Sequence, residues 1–253
     1  MKNTRRQTAR IRKRDWFKAA LSFLFFLSSS QIFTLLILLP PPPDERERRR
    51  LYKLLLWWYA SLIIRTHMNI RFRMINPLKE DFSKPAVMIA NHQSILDVPA
   101  TLMLSSKILI VTNNWSQNSM FRFFIGKYID IFSVERGLEN YLDEFRKWLA
   151  KGYQILIFPE GVRWGSGRIE RFHKGAFYLA EKLQADILPV LLHGTGSINS
   201  PRPFYLKRGR FSLRVLPRIK PGDPDFGSSY QERTLKVMQM YRREYRLMAE
   251  SSL

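Results

Sequence analysis

The chain has 253 residues, enough for one catalytic-sized domain with an appendage and for a sizeable core. Its 42 Lys and Arg against 21 Asp and Glu leave a net charge of +21, which calls for a polyanionic partner: nucleic acid, anionic lipid or an acidic carrier protein. The absence of cysteine excludes disulfides, thiolate metal sites and a cysteine nucleophile, and leaves the redox compartment open.

Residues 1–18 carry eight Lys or Arg and one Asp, and an uncharged run of 21 residues, Ala19 to Leu39, follows at once. That length can cross a bilayer core. A cleaved signal peptide fits poorly, because the run lacks a small-X-small cleavage site and ends in Pro40-Pro41-Pro42-Pro43. Spanning also meets two objections. Ser28-Ser29-Ser30-Gln31 puts polar groups at the middle of the run, and both flanks are basic although positive flanks favour the cytoplasmic side. The expected arrangement is a membrane-associated two-helix hairpin that dips into one leaflet, turns at the four prolines and returns along the surface of an anionic membrane. In the returning helix Leu51, Leu54, Leu55, Trp58 and Leu62 form an apolar stripe, with Trp57 and Tyr59 beside it as headgroup-level residues. The same stripe suits a helix packed on the core, and that alternative stays open.

Beyond the hairpin, alternation of Ile70, Phe72 and Met74 with Arg71 and Arg73 predicts a half-exposed strand. Ala86 to Ala90 reads as a buried strand that stops at Asn91-His92, and a short helix is expected over Ile95 to Leu104. A helical step of five residues turns about 500°, which would set His92 and Asp97 about 140° apart, so the histidine must ride on a loop. From the first turn of the following helix Asp97 can then reach back to the imidazole. A carboxylate that holds an imidazole in one tautomer makes a base able to take a proton from a hydroxyl. Taken alone, the pair also suits a loop histidine beside a carboxylate placed for the helix dipole.

Further strands are expected at Lys107 to Val111, Ile129 to Val134, Gln154 to Phe158, Ile187 to His193 (interrupted by Pro189) and Phe211 to Leu216. Helices are expected around Met120, Phe121 and Phe124, over 139–150, over Lys174 to Leu183 and over Gln231 to Met248, with Pro217, Pro221 and Pro224 marking a linker. Strands alternating with ten-residue helices predict an α/β fold with a mainly parallel sheet and flanking helices, preceded by the N-terminal hairpin. The division is 1–68 for the basic N-terminus and hairpin, 69–225 for the α/β domain and 226–253 for a basic terminal helix. Ligands of such sheets bind at the carboxyl ends of strands, where His92, Arg136 and the run Glu160 to Arg163 all fall.

Asn91-His92-X-Ser94-X-X-Asp97 resembles the first motif of the glycerolipid acyltransferase family, of the lysophosphatidate acyltransferase type. Phe132-Ser133-Val134-Glu135-Arg136, Phe158-Pro159-Glu160-Gly161-Val162-Arg163 and Ile187-Leu188-Pro189-Val190 are similar to its later blocks, in order, so that the resemblance spans residues 50–220. It implies O-acyl transfer from acyl-CoA or acyl carrier protein as cosubstrate, without a cofactor or metal, to a lysophospholipid such as 1-acylglycerol-3-phosphate. It implies His92 and Asp97 as the catalytic pair, and Arg136, Gly161 and Arg163 as residues that bind the acceptor's phosphate. Glu160 stands with these, on the substrate or as a scaffold that accepts bonds from arginine or loop amides. The residue chemistry agrees: Arg163 can bind phosphate through two parallel bonds, and Gly161 lets the backbone come close.

Direct attack on the thioester fits better than an acyl-enzyme, since Ser94 lacks a Gly-X-Ser-X-Gly elbow. The chain departs from the family at Val162, where threonine is usual, and at Thr112-Asn113-Asn114-Trp115, where many members carry a lysine. His67, His173 and His193 form no metal-ligand spacing with an acidic cluster. The expected location is a membrane's cytoplasmic face, the inner membrane if the chain is bacterial. Three other readings stay open: a different lipid or pigment acceptor, a non-catalytic lipid-binding protein, and a nucleic-acid binder, although no nucleic-acid motif is present and no nucleic acid is expected.

Overall fold

A computed structural model of the chain describes residues 44–66, 70–113, 129–134, 136–163, 165–198 and 208–250. It also describes isolated helical positions at Phe17, Ala20, Leu21, Leu24, Phe25, Ser28, Ser29 and Gln31. The elements in order are α1 (Glu45–Thr66), β1 (Ile70–Ile75), β2 (Val87–Ala90), α2 (Asp97–Leu102), β3 (Ile108–Asn113), β4 (Asp130–Val134) and α3 (Leu142–Ala150). They continue with β5 (Gln154–Ile157), α4 (Gly175–Leu183), β6 (Ile187–His193), the one-turn α5 (Thr195–Ile198), β7 (Gly209–Val215) and α6 (Tyr230–Glu250). The helix expected around Met120 to Phe124 lies outside the described residues, as do His67, Glu135 and most of the run from Ala19 to Leu39.

All seven strands form one sheet in the order β1-β7-β6-β2-β5-β3-β4, and only β6 and β7 pair antiparallel. The mainly parallel α/β layer therefore stands. Successive side chains of a strand point to opposite faces, and in β2 both faces are apolar and buried. Met88 and Ala90 face a layer completed by Ile64 of α1 and Ala100 and Leu102 of α2. Val87 and Ile89 face the opposite layer, closed by Phe145 of α3, Phe177 of α4, and Val237 and Tyr241 of α6.

Two expectations change. Pro189 does not interrupt β6, which runs unbroken from Ile187 to His193. Its carbonyl faces β7 and accepts from Leu216, one residue beyond the antiparallel ladder that begins at Val190 and Val215, so the N–H that proline lacks falls at the edge of that ladder. The proline-rich stretch after β7 is no free linker either. Ile219 exchanges both backbone bonds with Ile187, and the Arg218 guanidinium reaches Glu80 at 2.7 Å and Asp186 at 3.4 Å.

Helix α1 is apolar on two sides. Its core side is Leu56, Ala60 and Ile64, while Leu51, Leu54, Trp57 and Trp58 stay exposed. Most of the stripe picked out by spacing therefore faces away from the sheet. The Trp57 indole donates to the Met103 carbonyl at 2.6 Å and Lys53 pairs with Asp130 at 2.5 Å, which locks the helix to the body without covering that outer side. The Ser29 hydroxyl lies 3.2 Å from that of Tyr59, so the preceding helical positions touch α1. Among the described residues no helix is long and apolar enough to cross a membrane.

Candidate active site

The site is built where β2 ends. The chain leaves the sheet at Asn91, whose side-chain amide continues the pairing with β6: Nδ2 donates to the Leu192 carbonyl at 2.9 Å and Oδ1 accepts from the Leu192 N–H at 2.8 Å. Five residues of tight loop follow, and Asp97 opens α2. Asp97 Oδ2 then accepts three bonds, from the backbone N–H groups of Gln93 (2.6 Å) and Ser94 (2.7 Å) and from His92 Nδ1 (2.9 Å). With Nδ1 donating to the carboxylate, the lone pair of the imidazole sits on Nε2. The Asp97 side chain is fully buried and that of His92 is 19% exposed, so the anion is shielded while the base still meets solvent.

Several neighbours had no distinctive signal in the sequence. Phe158 stacks on the His92 ring with centroids 4.3 Å apart, limiting imidazole rotation. Gln93 accepts from the Gly167 N–H at 2.9 Å and donates to the Arg168 carbonyl at 2.6 Å, tying the glycine-rich loop to the histidine loop. Its place inside the first motif was the one available hint. Ser94 is buried and its hydroxyl accepts from the Leu96 N–H at 3.3 Å, so it serves the turn and is not presented as a nucleophile.

The other predicted site residues divide into two groups. Glu160 joins the His92 and Asp97 cluster from below. It is 1% exposed, and among the described residues neither carboxylate oxygen meets a donor in good hydrogen-bond geometry. Burial pushes its pKa up to about 8; the nearby His92 N–H offsets part of this, and the Asp97 charge adds to it. Arg136, Gly161 and Arg163 are exposed on the loops after β4 and β5. Those two loops meet on the segment leading into α4: a Cβ at Gly161 would lie 3.1 Å from the His173 ring, and one at Gly175 would lie 3.0 Å from Leu138. Gly161 also holds a φ of +73°, which a side chain would strain. Among the described residues neither arginine is paired with a carboxylate, so both guanidinium groups remain available for an anion. Among the described residues no cluster of three His, Cys, Asp or Glu could hold a metal.

A carboxyl group without a partner is cheapest to bury when it is protonated, and this fixes how Glu160 affects stability. Its folded pKa lies above the ordinary 4.5, so between pH 4.5 and about 8 the folded protein keeps a proton that the unfolded chain has lost. The residue therefore costs nothing below that window, costs progressively more as pH rises through it, and carries its full cost above about pH 8. Glu160→Gln is expected to raise Tm relative to the parent at pH 8 by roughly 2–4 °C for each kcal/mol relieved, with no gain at pH 4. Thermal scans at the two pH values check this, and an equal effect at both would contradict the buried neutral acid.

The Acyltransferase family profile matches residues 69–193. The chain is 33% identical over 149 residues to a 1-acyl-sn-glycerol-3-phosphate acyltransferase of Chlamydomonas reinhardtii, a match covering 54% of this chain and 43% of the algal protein. It is 27% identical to a putative 1-acyl-sn-glycerol-3-phosphate acyltransferase of Caenorhabditis elegans, over 69% of each chain. The chain thus spans less than half the length of the algal relative. The crystal structure of the 1-acyl-sn-glycerophosphate acyltransferase of Thermotoga maritima shares the fold, with a TM-score of 0.72 at 18% identity over 90% of this chain and 94% of that one.

Proposed function

This chain belongs to the acyltransferase family, and we propose that it transfers a fatty acyl group from acyl-CoA or acyl carrier protein to the free hydroxyl of a phosphate-bearing lysolipid, 1-acylglycerol-3-phosphate being the first choice. The observation that carries this reading is the His92–Asp97 bond at 2.9 Å, which leaves the Nε2 lone pair at the carboxyl end of the sheet. In the reaction His92 Nε2 takes the acceptor's hydroxyl proton as its oxygen attacks the thioester carbonyl carbon. Asp97 stabilises the imidazolium, the tetrahedral adduct collapses, and the thiolate leaves with the proton from His92. Arg136, Arg163 and the Gly161 backbone would hold the phosphate, since the loop after β5 is tied to the histidine loop through Gln93, the loop after β4 meets the segment leading into α4, and both guanidinium groups are free of acidic partners among the described residues. Glu160, buried and neutral at physiological pH, lies beneath the surface that the acceptor would meet.

The acceptor is a membrane lipid, and α1 suits a seat on the bilayer surface. Its exposed Leu51, Leu54, Trp57 and Trp58 are residues that settle at the headgroup level, and a net charge of +21 favours anionic headgroups. Trp57 also touches Met103 at the far end of the helix that Asp97 opens, so the seat is tied to the helix that follows the histidine loop.

The test uses purified protein on vesicles containing anionic lipid. Acyl-CoA and acyl carrier protein thioesters are offered with 1-acylglycerol-3-phosphate or with phosphate-free monoacylglycerol, and the products are read by mass spectrometry. Diacylated product from the phosphate-bearing acceptor, with protein floating with the vesicles in a density gradient, is the expected result. Equal acylation of monoacylglycerol would remove the phosphate assignment. Failure to float would remove the surface seat, and no acylated product from any pair would remove the enzyme reading.

A further inference from the structure

Tyr241 lies on α6, outside the residues matched by the family profile, and mid-chain in a helix whose sequence reads only as basic and amphipathic. It is nevertheless fully buried, and its hydroxyl reaches through the layer of helices to the sheet. There it accepts from the Val190 N–H at 2.9 Å and donates to the Ile89 carbonyl at 2.7 Å. In the β2–β6 register Ile89 pairs with Pro189 and Ala90 with Val190, so this hydroxyl occupies the last backbone rung before the chain turns out at Asn91. The next rung is made by the Asn91 side chain itself with Leu192. Two side-chain groups in succession thus close the seam from which His92 is launched.

The surroundings of Tyr241 reach both halves of the site. Its ring packs edge-on to Phe172 at 5.2 Å, at the start of the segment on which the Arg136 and Gly161 loops rest. One turn later, the Tyr245 ring meets His193 at 4.7 Å, and its own pKa is pushed up to about 12 by burial and by the charges of Asp97 and Glu160. The helix therefore lies directly beneath the histidine loop.

We infer that Tyr241 is a positioning residue for the proposed acyl transfer: its hydroxyl, clamped between Ile89 and Val190, fixes the end of β2 and hence the place of the His92 imidazole against Asp97. The inference rests on the acyltransferase reading for its kinetic arm but not for its structural one. A buried hydroxyl with both donor and acceptor roles filled holds one geometry, and freeing it lets the strand end shift by a fraction of an ångström. Misplacement on the order of 1 Å can lower turnover about 10²-fold, so a smaller drift should cost on the order of tenfold.

Tyr241→Phe keeps the ring and removes only the clamp. Val237→Ala, one turn earlier on α6 and fully buried, serves as the control that loosens the same helix without touching the seam. The expected result for Tyr241→Phe is a kcat lowered on the order of tenfold, KM for donor and acceptor within about twofold of the parent, and faster amide exchange confined to peptides covering residues 89–93 and 190–192. Val237→Ala should lower Tm while leaving kcat and that local exchange alone. Parent-like exchange at 89–93 in Tyr241→Phe overturns the proposal whatever the activity. So does an equal loss of kcat in both variants. An inactive parent with locally faster exchange in Tyr241→Phe would instead overturn the acyltransferase reading and leave the clamp standing.

Discussion

His92→Ala is expected to lower kcat by roughly 10²-fold or more while vesicle binding, Tm and KM for the thioester donor stay near their parent values. The reason lies in what the side chain touches. Its one polar contact is Nδ1 on Asp97, 19% of the side chain meets solvent, and the remaining ring face lies on Phe158. Truncation removes that stacking contact but leaves the Asp97 carboxylate two backbone donors, Gln93 and Ser94, so the loop keeps its main restraint. What is lost is the group proposed to take the hydroxyl proton, and a base acting in the chemical step affects kcat and not binding. Steady-state kinetics on vesicles measures this, and a kcat within threefold of the parent would end the assignment of His92 as base.

Asp97→Asn is expected to be at least as damaging, between about 10² and 10⁴ in kcat, by a different route. Oδ2 of Asp97 is the acceptor for three donors at 2.6, 2.7 and 2.9 Å, whereas Oδ1 is buried with no partner. An asparagine could put its oxygen in the Oδ2 position and its NH₂ in the empty one, preserving the loop, but a neutral amide cannot stabilise the imidazolium that forms during the reaction. The opposite rotamer faces an NH₂ against three donors. Loss of charge-assisted bonds to two buried backbone N–H groups should also lower stability by about 1.5–3 kcal/mol. The two effects separate by temperature: at 15 °C, where the variant remains folded, the defect in kcat should persist. Recovery of parent turnover on cooling would reduce Asp97 to a structural support of the loop.

The residues that the sequence made legible are those whose partners lie close along the chain or whose pattern repeats at a fixed period. The apolar run at 87–90, the alternation in β1 and the amphipathic spacing of α3 and α4 are local consequences of which side chains water rejects, and each element formed within three residues of its expected place. The His92–Asp97 meeting belongs to the same class, because a five-residue step across a strand-loop-helix turn leaves the carboxylate few other places to point.

Where the sequence misled or left two readings open, a distant partner decided. Pro189 looks like a strand breaker when read alone, yet it is tolerated because its missing N–H falls at the very end of the β6–β7 ladder, where Leu216 still donates to its carbonyl. The spacing of α1 indicates an apolar stripe, but only the docked sheet selects Leu56, Ala60 and Ile64 as its buried side and leaves Leu51, Leu54 and Trp58 outside.

By itself, then, the sequence determined the α/β class, the order of most elements and the pairing of His92 with Asp97, since these follow from side-chain periodicity and from contacts a few residues apart. The tertiary structure alone decided what surrounds and restrains that pair. Asn91 meets Leu192 across 101 residues and Tyr241 meets Ile89 across 152, while the pKa of Glu160 is pushed up to about 8 by burial in the assembled core, with the Asp97 and Glu170 charges adding to it. Contacts at such separations leave no periodic trace, because they arise from the order in which the strands are laid side by side and not from any stretch of chain.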